Sequence, residues 1–205
     1  MDLFVEPSPH VFVYLGFEVG GRRAVDEKAS ELKDVAATVR GEPSVVDVHL
    51  FRATFTPPIP GGPRFDLAML VRTSAPETTS HPDLERLGAT MTMSAHNPCR
   101  IGDTDAGRPG ATYLFNHFHA PDVETAVTVW KGLAGWFTAN TGIDNSTPLA
   151  ALGDSAYPLV NFARLPSGPR RFLLRQFTRP SFRTRVLAPL RAHRMAAMPI
   201  FYRPL

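Results

Sequence analysis

The 205-residue sequence predicts an α+β fold made of two β-α-β-β-α-β units in tandem. Three observations carry this reading. Apolar segments of strand length, His10 to Phe17 and Thr112 to His119, open the two halves. Each is followed by a stretch of helical period and then by two further strand-like segments. The turn-rich stretch Gly102-Asp103-Thr104-Asp105-Ala106-Gly107, with Pro109-Gly110 behind it, falls between them. The expected modules are therefore residues 1–107 and 108–205.

In the first unit, His10 to Phe17 is apolar on both alternating sets, as a strand covered on two faces must be. Gly20-Gly21 leads into a helix expected from Ala24 to Arg40, with Val25, Ala29, Leu32, Ala36 and Val39 on one stripe and Gly41 as its stop. Val45 to Arg52 alternates apolar Val46, Val48 and Leu50 against Asp47, His49 and Phe51, which reads as a strand. A proline-rich loop from Pro57 to Pro63 separates it from a partner strand, Phe65 to Val71. Ser74 to Thr90 is less regular, with a short helix near Pro82 to Leu87. Met91 to Ile101 supplies the last strand.

The second unit opens with Thr112 to His119. Pro121-Asp122 starts a helix, the carboxylate complementing the helix dipole. Ala126, Trp130, Leu133 and Phe137 form its central stripe, with Val129 and Trp136 along one edge. Ser146 to Leu152 and Tyr157 to Leu165 are the next strands. Helical segments follow near Pro169 to Thr178 and Phe182 to Ala196, and Pro199 to Arg203 closes the sheet. Two four-stranded antiparallel sheets result, each with helices on one face. Packing the sheets against each other covers both remaining faces within one chain.

Composition excludes several classes of protein. With 43% hydrophobic and 20% charged residues the chain has the apolar content a folded core requires. Its 20 prolines argue for frequent turns and against long helical bundles. The net charge of +3 hides an asymmetry. Residues 155–205 hold ten arginines and no Asp or Glu, whereas residues 1–154 hold 12 basic and all 19 acidic residues, a balance of −7. Phe172, Leu173, Leu174, Phe177, Val186, Leu187 and Leu190 are interleaved with those arginines, so this segment should pack. Pairing with the acidic remainder, or attraction of an anionic small molecule, is expected, with no nucleic-acid partner because no recognised motif accompanies the charge. A single cysteine, Cys99, excludes an intramolecular disulfide and a thiolate zinc site. It is read as a half-buried apolar residue, with His96 and Arg100 close enough in sequence to activate it in the competing reading. Met1 to Pro9 lacks a basic signal region and no apolar run is long enough to span a bilayer, so a cytoplasmic protein with no membrane partner is expected.

Tyr113-Leu114-Phe115-Asn116-His117-Phe118-His119, the Trp130 to Trp136 helix, Leu152-Gly153-Asp154, and Tyr157-Pro158-Leu159-Val160-Asn161-Phe162-Ala163-Arg164 resemble the antibiotic biosynthesis monooxygenase type of dimeric α/β barrel. The resemblance covers most of residues 111–203 and, more faintly, 9–101. It implies two ferredoxin-like modules fused in one chain, their antiparallel sheets packed as an intramolecular dimeric α/β barrel. Among fused members it is similar to angucycline ring-opening, C–C bond-cleaving oxygenases. The three lysines against 19 arginines fit a high-GC genome of the kind that often makes such compounds. The function implied is oxidation of a polycyclic aromatic polyketide, a hydroquinone or phenol, with O2 to a quinone or ring-cleaved product in antibiotic biosynthesis. The alternatives are a haem-binding or haem-degrading protein and a non-oxidative polyketide cyclase or binding module. A haem-degrading branch needs a histidine on the second helix of the module, and residues 169–178 contain none.

The candidate site residues follow. Period-2 geometry puts His117 and His119 on one strand face with Tyr113 and Phe115, and Asn116 on the other with Leu114 and Phe118. In the resembling monooxygenases the first-strand asparagine faces a pocket between sheet and helix. That role for Asn116, on a substrate carbonyl or on oxygen, stands beside a plain core amide. Histidine suits phenol deprotonation because its ordinary pKa is near neutrality. His117 is the leading base, with His119 and His96 behind it, each also readable as a structural histidine. A phenolate is electron-rich enough to reduce O2, so no metal is required. Trp136, at the helix edge, and Trp130 are candidates to stack on a planar substrate or simply to fill the core. Asn161 and Arg164 face opposite sides of their strand, Asn161 toward the pocket and Arg164 toward an oxyanion or an acid. No tightly bound cofactor is expected. O2 is the cosubstrate, and reduced flavin from a separate reductase is the candidate diffusible reductant. Monomer and homodimer both remain open.

Overall fold

The computed structural model describes residues 3–75 and 81–205. Eight strands, β1 (Val11–Phe17), β2 (Val45–Phe55), β3 (Leu67–Thr73), β4 (Met91–His96), β5 (Tyr113–His119), β6 (Thr147–Ala151), β7 (Leu159–Arg164) and β8 (Ala196–Pro204), form one closed antiparallel barrel. The order around it is β1-β3-β2-β8-β5-β7-β6-β4. Within each half the same spatial sequence recurs, β4-β1-β3-β2 and β8-β5-β7-β6. The expected pair of stacked sheets is thus one continuous wall, joined where β2 pairs with β8 and β4 with β6. Joining the edges satisfies backbone groups that two separate sheets would leave open.

Alternation along the strands sorts side chains into barrel interior and outer face. Tyr14, Phe51, Tyr113, Phe115, Phe162 and Tyr202 fill the interior, where ring contacts fall near 5–6 Å. Helix α1 (Arg22–Val39) covers the outer face of the first half, burying the stripe Val25, Ala29, Leu32, Ala36 and Val39 against Val13, Leu15, Leu67, Met69 and Val71. A one-turn helix, α2 (Pro82–Glu85), packs Leu84 beside it. Part of the irregular Ser74–Thr90 stretch lies outside the described residues.

Helix α3 (Val123–Thr141) covers the second half. Asp122 caps it by accepting a hydrogen bond from the Thr125 N–H at 2.6 Å. Gly142 ends it at φ +79°, a conformation that a side chain would disfavour, and its N–H reaches the Thr138 carbonyl. Helix α4 (Pro169–Phe177) follows β7 as expected. The next segment departs from the expected continuous helix of Phe182 to Ala196. It comprises a short α5 (Pro180–Phe182), a π turn at Arg183–Leu187, and α6 (Ala188–Ala192). Pro189 supplies the physical reason: it has no N–H to donate and its ring crowds the carbonyl four residues earlier, so the helix widens there. Met91 to Ile101 is also shorter as a strand than expected. β4 stops at His96, and residues beyond it cross the barrel end, held by the buried amide of Asn97, which donates to the Pro148 carbonyl at 2.8 Å.

Candidate active site

A cavity of about 420 Å³ lies between the outer face of β5 and β8 and the helical cover formed by α3, α4, the π turn and α6. Its wall is apolar: Leu114, Phe137, Phe172, Phe182, Val186 and Phe201 are among the lining side chains. A narrow side pocket of about 40 Å³ runs toward Trp130, Thr138, Ser146 and Asn161. The two meet at Leu114, Asn116 and Phe137, which line both.

Asn116 is the polar residue at this junction. Its Oδ1 is buried and has no hydrogen-bond partner among the described residues. Thr138 Oγ1, in the side pocket, is likewise buried and unpaired. Leaving a buried acceptor unmade costs about 1–3 kcal/mol, so such groups call for a partner that enters the cavity. Asn161 is nearby and better anchored, because its Oδ1 accepts from Ser146 Oγ at 2.8 Å. None of the residues lining either chamber is Asp, Glu, His, Lys, Arg, Tyr or Cys.

The structure brings Asn116, Asn161 and Trp130 together at the side pocket, Asn116 alone of the three also lining the main cavity, and puts the other candidates elsewhere. His117 faces the barrel interior, fully buried. Its Nε2 accepts from the Tyr14 hydroxyl at 2.9 Å, and its Nδ1–H donates to the Met198 carbonyl at 3.2 Å. Phe65 and Tyr157 pack edge-on against the ring. Burial pushes the imidazole pKa down to about 4, so it is neutral at physiological pH. Burial raises Tyr14 and Tyr202 above the ordinary phenol range. The expected base is therefore separated from Asn116 by the sheet itself.

His96 and His119 are exposed on their strands and line neither chamber. Arg164 faces the interior side at the barrel end, near Tyr113, with its Nε buried and without a hydrogen-bond partner among the described residues. Trp136, expected at the pocket edge, instead donates from Nε1 to Ser181 Oγ at 3.0 Å and packs on Phe137 and Phe182. It ties α3 to α5, and Trp130 takes the place beside the cavity. Cys99 is buried, its thiol pKa raised by that burial, which disfavours the nucleophilic thiolate. The residues that sequence reasoning did not select, Thr138, Phe172, Gln176 and Leu187, come from the helical cover. Their only signal was the apolar stripe of each helix, which also describes an ordinary core.

A second, polar recess of about 260 Å³ opens at one barrel end. There Asp47 bridges Arg72 and His49. Burial opposes ionisation of Asp47, but His49 and Arg72 together hold its pKa below the usual carboxylate value. Asp47 with Arg72 and His49, and Arg100 with Asp103, pair within it, and none of its lining residues borders the Asn116 chambers.

No described protein family matches the sequence, and no curated protein is similar to it. Solved structures do share its fold. An anthrone oxidase-like protein superposes with a TM-score of 0.66 at 11% identity, covering 97% of this chain and 92% of the other. A provisionally assigned monooxygenase from Fusobacterium nucleatum gives 0.57 at 10% identity, covering 96% and 92%. A point variant of chlorite dismutase from Candidatus Nitrospira defluvii gives 0.55 at 8% identity, again covering 96% and 92%. At these identities the likeness is one of fold: the chain is an eight-stranded α+β barrel whose fold is shared by proteins named as oxidase-like, monooxygenase and chlorite dismutase.

Proposed function

We propose that the chain is an oxygenase that binds a planar polycyclic phenol or hydroquinone of the aromatic polyketide class in the Asn116 cavity and oxidises it with O2. The observation that carries this reading is the unpaired, buried Asn116 Oδ1 on the wall of a mostly apolar chamber. A phenolic O–H satisfies that acceptor while the ring system occupies the apolar volume, against the rings of Phe137, Phe172 and Phe182. We read residues 1–107 and 108–205 as two ferredoxin-like modules, the second supplying most of the pocket wall and the first adding Phe55, Pro57 and Ile59.

The chemistry follows from what the lining lacks. With no titratable side chain facing the chamber, Asn116 orients the hydroxyl and the electron-rich substrate supplies the reactivity. Loss of a substrate proton to water at the cavity mouth gives a carbanion or phenolate, which transfers an electron to O2; the radical pair joins as a peroxide anion, and return of that proton makes the C–O–OH hydroperoxide. Breaking the O–O bond with loss of the adjacent C–H leaves a carbonyl and releases water. Both O2 atoms and all four electrons from a methylene carbon are then accounted for without an external reductant. A ring-cleaving outcome starts from the same hydroperoxide, with reduced flavin from a separate reductase keeping the substrate at the hydroquinone level. The apolar cover excludes water from the intermediates.

Haem, the alternative set by the resemblance, does not fit this chamber. An iron porphyrin needs an axial His, Cys or Tyr ligand, and the lining offers none. No step is drawn through it. Oxygen uptake with a tricyclic anthrone or hydroquinone tests the proposal. Stoichiometric uptake that is lost in Asn116→Leu supports it, and equal turnover under strict anaerobiosis refutes it in favour of a cyclase.

A further inference from the structure

We infer that the arginine-rich outer face of α4, the π turn and α6 docks on an anionic lipid surface, with the cavity mouth turned toward the bilayer. Eight of the ten arginines after residue 155 are exposed, and among the described residues none of the ten forms an ion pair. Of the two expectations for this segment, pairing with the acidic first half is not seen among the described residues. Five of the exposed arginines, Arg170, Arg171, Arg183, Arg185 and Arg191, lie on α4, the π turn and α6 and give that cover its positive charge.

Within that face stand apolar side chains that a soluble surface has no reason to show. Leu174 is 63% and Phe177 65% exposed. On α4, Phe172, Leu173 and Gln176 turn toward the cavity, while Leu174 projects outward between Arg170 and Arg171. Phe55 and Phe177, the two exposed phenylalanines among the described residues, both line the cavity. Arg183 and Arg191 flank Leu187, whose other side is part of the cavity wall. The helical cover of an apolar chamber thus carries protruding apolar groups beside exposed guanidinium groups.

That combination fits a lipid surface better than other anionic partners. Nucleic acid provides no apolar receptor for Leu174. A protein partner needs an interface of roughly 800 Å² on each side, more than two protruding side chains supply. A bilayer requires only a shallow apolar insertion plus basic residues near its phosphates, two weak signals that together hold a protein at the surface. The docking stands on this surface alone, whether or not the cavity ligand is oxidised.

Co-sedimentation of the full chain with vesicles tests it, comparing phosphatidylcholine with an equimolar mixture of phosphatidylcholine and phosphatidylglycerol. Binding to the mixed vesicles only, and its release by high salt, is expected. Each exposed arginine contributes about fivefold, so Arg170→Gln, Arg171→Gln and Arg191→Gln combined should weaken binding on the order of a hundredfold. Leu174→Ser should weaken it while binding of a soluble phenol is unchanged. Equal sedimentation with neutral vesicles, or none with either, overturns the inference. So does equal affinity for heparin that is insensitive to Leu174→Ser, which would mark a polyanion site. A concentration-dependent dimer abolished by Leu174→Ser would assign the face to a second copy of the chain.

Discussion

Asn116 and His117 are neighbours on β5, yet they face opposite sides of the barrel wall, one into a cavity of about 420 Å³ and the other into a closed aromatic core. The peptide plane between them separates two chemistries. On the outer side an unpaired amide waits for a ligand. On the inner side both imidazole nitrogens already have partners.

Asn116→Leu should leave the apo fold intact, because it removes an unmade acceptor and keeps the side chain's approximate volume. Its melting temperature should equal or exceed that of the parent. Affinity for a phenolic ligand should fall about tenfold or more, the effect of burying a hydroxyl whose partner has gone, about 1–3 kcal/mol. Calorimetric titration beside thermal melts separates the two effects. Unchanged affinity would remove Asn116 from the site.

His117 should make stability depend on pH in an identifiable window. Its folded pKa, about 4, lies below the ordinary 6.5, so between these values the unfolded chain binds the proton and the native chain does not. Stability therefore falls as pH drops from about 6.5 to 4, by about 3 kcal/mol from this group. Urea unfolding at pH 7 and pH 4.5 should show that component in the parent and not in His117→Gln. An identical pH slope in both proteins would contradict it.

Much of this arrangement was legible in the sequence, and the gaps have physical causes. Strict alternation from Tyr113 to His119 assigned Asn116 and His117 to opposite faces. It could not by itself say which face carried a chamber, because both sets are apolar and both are buried. The histidine was attractive as a base for its ordinary pKa, a property that burial removes. Trp130 and Trp136 both sit near the apolar stripe of α3. Their separate roles depend on α5 and the π turn, whose path is set by Pro180 and Pro189 and not by a 3.6-residue period. The barrel closure through β2–β8 and β4–β6 rests on contacts between distant segments that no local pattern encodes.

Tyr14→Phe should destabilise the barrel by about 1–3 kcal/mol, because it strands His117 Nε2 as a buried acceptor. The Phe ring retains the stacking on Phe115, so loss of packing is small. Combining it with His117→Phe should cost less than the sum of the single changes, since both remove the same hydrogen bond. Additive losses in a double-mutant cycle would show that the two side chains are not coupled.

The two tryptophans provide a direct report on which side of α3 faces the ligand. Trp130 lines the side pocket, whereas Trp136 is held against α5 by its hydrogen bond to Ser181. An aromatic ligand entering the chamber should therefore quench Trp130 emission more than Trp136 emission. Trp136→Phe should retain most of the ligand-induced quenching, and Trp130→Phe should lose it. Trp136→Phe should in addition cost about 1 kcal/mol of stability by breaking the tie to Ser181, measurable as a lower urea midpoint. Quenching that survives in Trp130→Phe and disappears in Trp136→Phe would move the ligand out of the Asn116 chamber and onto the outer edge of the helix.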